Sequence, residues 1–140
     1  MHTTEKSLIE RILTARVYDV AIETPLDKAR NLSERLNNNV HLKREDLQPV
    51  FSFKIRGAFN KLFRLSEEER SKGVVAASAG NHAQGIALAG STLGIKTTIV
   101  MPTITPDIKI KAVQAFGGKA IIHGDSFDEA YAYARELEEK

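Results

Sequence analysis

The chain has 140 residues, 42% of them hydrophobic, which suffices for one compact domain burying roughly two-thirds of its unfolded surface. Twenty basic residues against 18 acidic ones leave a net charge of +2, too small a bias to point to nucleic acid or an anionic membrane. There is no cysteine, which excludes disulfides and thiol chemistry; the histidines at 2, 41, 82 and 123 share no local metal-ligand spacing, and no run approaches the roughly 18 apolar residues of a membrane span.

The opening MHTTEKSLIERIL mixes charges of both signs into its apolar positions and never builds the apolar core of a signal peptide, so a soluble, cytoplasmic protein is expected. From Glu5 to Leu13, Leu8, Ile9, Ile12 and Leu13 recur at helical spacing. The stretch Leu26 to Leu36 does likewise after Thr24-Pro25, predicting a second helix. Three asparagines at 37–39 signal a turn into a short strand, Val40 to Lys43, followed by a charged loop, Arg44-Glu45-Asp46, that reads as a solvated turn. FSFKIRGA (51–58) then sets Lys54 between two aromatic rings where a loop becomes a helix, and the helix continues to Leu65.

Ser66-Glu67-Glu68-Glu69 has capping-box spacing. After it GVVAAS (73–78), KTTIVMP (96–102) and KAIIHG (119–124) recur about every 23 residues as apolar, mostly β-branched strands. Between them lie helices from Asn81 to Leu93 and from Pro106 to Phe116, the latter opened by Thr105-Pro106 and closed by Gly117-Gly118. A last helix starts at Ser126 with Phe127, Ala130, Tyr131, Ala134 and Leu137 along one face. The order βαβαβα predicts an α/β fold, a parallel sheet with right-handed crossovers. Ligands of such sheets lie beyond the carboxyl ends of the strands, which directs attention to the loop Ser78-Ala79-Gly80-Asn81-His82.

That loop offers small residues and then a helix N-terminus, whose unpaired N–H groups suit a carboxylate or phosphate. A tight turn capped by Ser78 or Asn81 explains the same residues without a ligand. Gly80 and Gly85 have Walker A spacing, but Ile86-Ala87 stand where Lys-Ser/Thr belongs, which disfavours a nucleotide-binding domain. Lys54 reads either as a solvated lysine whose stem lies along apolar neighbours or, between Phe51 and Phe53, as a partly desolvated amine of lowered pKa. Arg56 would reinforce that lowering or pair with Glu45 or Asp46. His82 and Gln84 read as polar residues of a helix end.

Taken together, KREDLQPVFSFKIRGA (43–58) and AASAGNHAQGIALA (76–89), with TPL (24–26), IVMP (99–102) and FDEA (127–130), resemble the threonine dehydratase group of pyridoxal-phosphate enzymes. This group of threonine deaminases and serine racemases has the tryptophan-synthase-β-like fold (fold type II). REDLQPVFSFK is most similar to its biosynthetic deaminase branch. The resemblance implies that Lys54 holds pyridoxal 5'-phosphate as an imine, that Phe53 packs beside the cofactor ring, and that Asn81 hydrogen-bonds its phenolic oxygen. Ser78, Ala79, Gly80, Asn81, His82 and Ala83 would grip the substrate carboxylate. The implied activity is threonine ammonia-lyase: threonine to 2-oxobutanoate and ammonia, the entry to isoleucine synthesis, or serine to pyruvate and ammonia. The implied full-length assembly is a homo-oligomer.

The family's glycine-rich phosphate cup and the residue facing the pyridine nitrogen come downstream of residue 140, as does the regulatory domain. The expectation is therefore a truncated or split enzyme: 1–54 an N-terminal segment that packs on a larger domain, 55–140 a small α/β domain, with an open sheet edge and an uncovered apolar face where the rest docks. The alternative is a non-catalytic or split-enzyme assembly module, inactive alone.

Overall fold

The computed structural model describes residues 7–139. Its first helix, α1 (Leu8–Leu13), is closed by a capping box: Ser7 Oγ accepts from Glu10 N, and the Glu10 carboxylate accepts from Ser7 N. The predicted start at Glu5 lies outside the described residues. Leu8, Ile9, Ile12 and Leu13 are all exposed, so the helical spacing serves no buried face here.

The helix predicted from Leu26 is instead a strand followed by a shorter helix, β1 (Leu26–Lys28) and α2 (Arg30–Leu36). Asn37, in the left-handed conformation at φ 47°, turns the chain back so that β2 (His41–Lys43) pairs antiparallel with β1, Leu26 opposite Lys43 and Lys28 opposite His41. The ladder partner lies some fifteen residues away, so a local apolar period could not reveal it. A 3₁₀ turn at Glu45–Leu47 leads through Val50, fully buried, to α3 (Lys54–Phe63), and α4 (Glu67–Lys72) carries the expected Ser66–Glu69 capping box.

The second half follows the predicted rhythm: β3 (Val74–Ala77), α5 (Asn81–Leu93), β4 (Thr97–Met101), α6 (Asp107–Ala115), β5 (Lys119–Ile122) and α7 (Phe127–Glu138). The three strands form a parallel sheet in the order β3-β4-β5, with Val74 opposite Thr97 and Thr98 opposite Lys119. β4, flanked on both sides, is the most deeply buried; β3 and β5 are edges. Successive side chains of a strand face opposite ways. Accordingly Ile99 and Met101 join the main core with Ile55, Phe59 and Leu62 of α3, Ala83, Ile86 and Ala87 of α5, and Val113 of α6, whereas Val100 faces Ala130 and Ala134 of α7. α5 and α6 therefore cover one face, α3 packs on α5, and α7 covers β3 and β4 from the other side.

Two local expectations change. α6 begins after Pro106, which is the capping residue rather than the first helical one, and the Thr105 hydroxyl, buried and without a partner, caps nothing. On α7 the buried stripe is Ala130 and Ala134 with Tyr133 and Leu137; Phe127 and Tyr131 stay exposed and stack on each other at 6.2 Å. Alanines at 130 and 134 face the sheet directly, with Tyr133 and Leu137 packing at the margin of that contact. Among the described residues no helix is long and apolar enough to cross a membrane.

Candidate active site

The site grows from the carboxyl end of β3. Ser78 N donates to Val100 O at 3.0 Å, extending the ladder by one residue, and Ser78 Oγ then accepts from Gly80 N at 3.3 Å, turning the chain away from the sheet. Gly80 occupies the N-cap position of α5 and offers no side-chain cap, so the first N–H groups of a thirteen-residue helix, at its positive end, face outward. A Cβ built at Gly80 would meet nothing within 4 Å, so there is open space beside them. Ser78 is buried, Ala79 half-buried, Asn81 and His82 exposed, and Ala83 and Gln84 buried beneath the turn.

Lys54 is the first residue of α3, its backbone N–H donating to Ser52 Oγ at 3.2 Å. Gly85, one turn into α5, brings the two helices together there: a Cβ at Gly85 would lie 3.2 Å from the Lys54 carbonyl carbon and oxygen, tighter than ordinary packing, so the missing side chain eases the close approach. Lys54 and the 78–83 loop, which the sequence separates by more than twenty residues, thus come to one place. Charge carries the same message. His82, at the surface yet partly desolvated by the atoms around it, is held below its ordinary pKa by that desolvation first and by the Lys54 ammonium second.

The surroundings of Lys54 differ from the sequence expectation. Phe51 and Phe53 are 73% and 58% exposed, so the two rings do not wrap the amine; Phe53 instead lies beside it, its ring centre 5.0 Å from Nζ. Phe51 takes a positive φ of 56°, unfavourable for a bulky side chain. Arg56 pairs with Glu45, not Asp46, at 2.8 Å, and Asp46 pairs with Arg44 at 2.8 Å. The loop read as a solvated turn therefore holds a largely buried ion pair. Thr24, read as a helix boundary, donates its hydroxyl to Glu45 at 2.6 Å.

Two contributors escaped the sequence reading. Lys109, one turn into α6, donates from Nζ to Asn81 Oδ1 at 3.3 Å. Its signal was available, since α6 follows β4, whose carboxyl end adjoins that of β3. Gln48, which exchanges hydrogen bonds with both backbone groups of Ile22, left no comparable mark. Among the described residues no group of three or more His, Asp or Glu side chains converges as a metal site would.

An accessible primary amine, a flat ring beside it, an uncapped helix end and open space at Gly80 suit an aldehyde cofactor linked to Lys54 and a carboxylate held by the loop. Comparison with known proteins points the same way. The model of the pyridoxal-phosphate dependent enzyme family matches residues 17–140. Threonine dehydratase 1 biosynthetic, chloroplastic, of Solanum lycopersicum is 59% identical over 131 residues, 94% of this chain and 22% of its own length. The biosynthetic L-threonine dehydratase of Escherichia coli is 52% identical over 132 residues, 94% of this chain and 26% of its own. This chain therefore spans about a quarter of the curated relatives it matches. Among solved structures, the processed form of threonine deaminase isoform 2 from Solanum lycopersicum superposes with a TM-score of 0.89 at 58% identity, covering 94% of this chain and 38% of that one. Maize serine racemase follows with a TM-score of 0.87 at 34% identity, covering 94% and 40%. With Lys54 and the 78–83 turn brought together in the fold and the family model matching residues 17–140, the chain belongs to the pyridoxal-phosphate dependent enzyme family.

Proposed function

We propose that this chain carries the reactive lysine and the substrate-carboxylate loop of a threonine ammonia-lyase, the enzyme that eliminates water from L-threonine and releases 2-oxobutanoate and ammonia. The observation that carries the reading is the meeting of Lys54 with residues 78–83 across the Gly85 contact, in a chain 52–59% identical to biosynthetic threonine dehydratases.

In this reading Lys54 would hold pyridoxal 5'-phosphate through Nζ, and the cofactor, when bound, would supply an electron sink for the bond changes at the substrate Cα. With substrate in place, the Lys54 amine would be positioned to take the Cα proton. The N–H groups at the start of α5, with Ser78 and Gly80, bind the carboxylate; Ala79, His82 and Ala83 complete that grip, and Asn81 orients the cofactor's phenolic oxygen. Phe53 covers one side of the ring. Lys109 fixes the Asn81 amide through its oxygen, so the amide NH₂ is the end turned to the ligand. Residues beyond this chain would clamp the phosphate and face the ring nitrogen. Serine as a second substrate, a homo-oligomeric full-length enzyme and a cytoplasmic location belong to the same proposal.

The domain arrangement in that proposal has 1–54 as the N-terminal segment that packs on a larger domain and 55–140 as the small domain. Ala21 and Val50 sit in the core with α3 and α5, while Leu26, Leu36 and Leu42 face outward, which favours a second body on the outer side of the β1–α2–β2 unit. The outward leucines also support the alternative of an assembly module that is inactive until the remainder is supplied.

Adding pyridoxal 5'-phosphate should produce a visible absorption band that Lys54→Ala abolishes, with keto acid formed from threonine once the downstream segment is supplied. A band of equal strength in Lys54→Ala would remove the role given to this lysine.

A further inference from the structure

The Glu45–Arg56 pair takes no part in the chemistry above, yet its side chains are more densely hydrogen-bonded than those of the site itself. Arg56, two residues beyond Lys54 on the first turn of α3, donates from Nε to Glu45 Oε2 at 2.8 Å and from Nη2 to Oε1 at 2.9 Å. The side chains are only 24% and 16% exposed. Glu45 accepts two further bonds, from Thr24 Oγ1 at 2.6 Å and Gln48 Nε2 at 3.2 Å. Arg56 also donates to Ile22 O at 3.2 Å and lies over the Tyr18 ring at 5.2 Å. Gln48 completes the set by accepting from Ile22 N at 3.0 Å and donating to Ile22 O at 2.8 Å.

A partly buried ion pair adds little net stability over an apolar replacement, so so dense a network is better explained by what it orients. It joins three stretches, 18–24, 45–48 and the first turn of α3, and the last two flank the run 49–53 that delivers Lys54. That run lies outside any strand and contains Phe51 at φ 56°, a conformation unfavourable for a bulky side chain that persists only where the surroundings over-determine it. The clamp supplies that constraint from one side, and the Gly85 contact supplies it from the other.

We propose that Glu45 and Arg56, braced by Thr24 and Gln48, are positioning residues that fix the bearing of the Lys54 amine toward the 78–83 loop. The inference rests on the reading of Lys54 as the cofactor-bearing lysine. Capture of an aldehyde needs Nζ to approach the carbonyl carbon along a narrow direction. A loosened clamp lets the α3 start sample others, slowing capture while the protein stays folded.

The test incubates the full chain with pyridoxal 5'-phosphate, traps imines with borohydride at timed intervals, and maps modified lysines by peptide mass. Glu45→Gln, isosteric but neutral, should slow trapping at Lys54 at least tenfold while the exposed lysines 61, 96 and 119 of the same sample label at unchanged rates. Arg56→Lys should do the same, and Thr24→Val, which removes one bond and leaves the charges, should give a smaller slowing. Circular dichroism fixes the folded fraction, and if Glu45→Gln unfolds, the Thr24→Val result decides. An unchanged Lys54 rate in a folded variant, even one of lowered melting temperature, overturns the positioning role. Failure of the parent chain to label Lys54 ahead of its other lysines overturns instead the cofactor reading, and the inference with it.

Discussion

At the scale of single residues, His82 is the reporter of the site. Burial and the Lys54 charge both disfavour its protonated form, pulling it below the ordinary 6.5. A proton NMR titration should therefore find His82 titrating below a free imidazole. Lys54→Met should move its midpoint upward, though not all the way to 6.5, because burial is the larger cause and persists. A midpoint indifferent to Lys54→Met would mean that the ammonium does not reach the ring. Lys54 itself shows how far residue-level reading goes. FSFKIRGA marked the amine, but its neighbours implied a sheltered one, and the structure turns both rings outward. Whether a flanking aromatic shields or merely adjoins a lysine depends on the φ of Phe51, which no side-chain pattern encodes.

At the scale of elements, the contact between α3 and α5 is the one on which the site depends. Gly85→Ala would place a methyl 3.2 Å from the Lys54 carbonyl, tighter than ordinary packing. The expected outcome is a loss of about 1–3 kcal/mol in urea unfolding together with slower labelling of Lys54. Unchanged values for both would show that the helices can part without penalty. The parallel sheet and its helices were legible because pattern, caps and turn residues agree locally: Gly117, at φ 88°, ends α6 where the sequence places its stop. The N-terminal third was less legible. β1 exists only through its pairing with β2, and Leu26 to Leu36 mimics a helical period that the ladder overrides. Of the α7 face expected from the sequence, Ala130, Ala134 and Leu137 pack inward, whereas Phe127 and Tyr131 stay exposed and Tyr133 packs against the cluster instead. The pairing of Arg56 was readable as two options but not as one, because the choice between Glu45 and Asp46 is made by the 3₁₀ turn that points the former inward.

Across the whole molecule, the same ion pair couples the N-terminal segment to the α/β body, and pH should expose that coupling. Arg56 first, then the Thr24 and Gln48 bonds, hold the Glu45 carboxyl down to about 2 from its ordinary 4.5. A carboxyl depressed in the folded state contributes stability that is full above pH 4.5 and is lost as pH falls from there through about 2. Denaturant midpoints measured from pH 6 to pH 3 should decline, with about 1–2 kcal/mol of the decline removed by Glu45→Gln after allowance for solvent screening of the pair. If Glu45→Gln follows the parent curve throughout, the pair does not link fold to pH. The same chain leaves β3 and β5 as open edges, with Leu8, Ile9, Ile12, Leu13, Ile104 and Ile108 exposed, surfaces suited to the second body proposed above.

The backbone contact at Gly85 also bears on noise. Lys54 and the start of α5 are mounted on two helices pressed together at the point where each presents its functional end, so thermal displacement of either carries the other with it. A displacement shared by the two helices would move the Lys54 amine and the 78–83 turn together and leave the distance between them unchanged, as vibration cancels in two instruments bolted to one bench. That shared mounting depends on the missing side chain at Gly85.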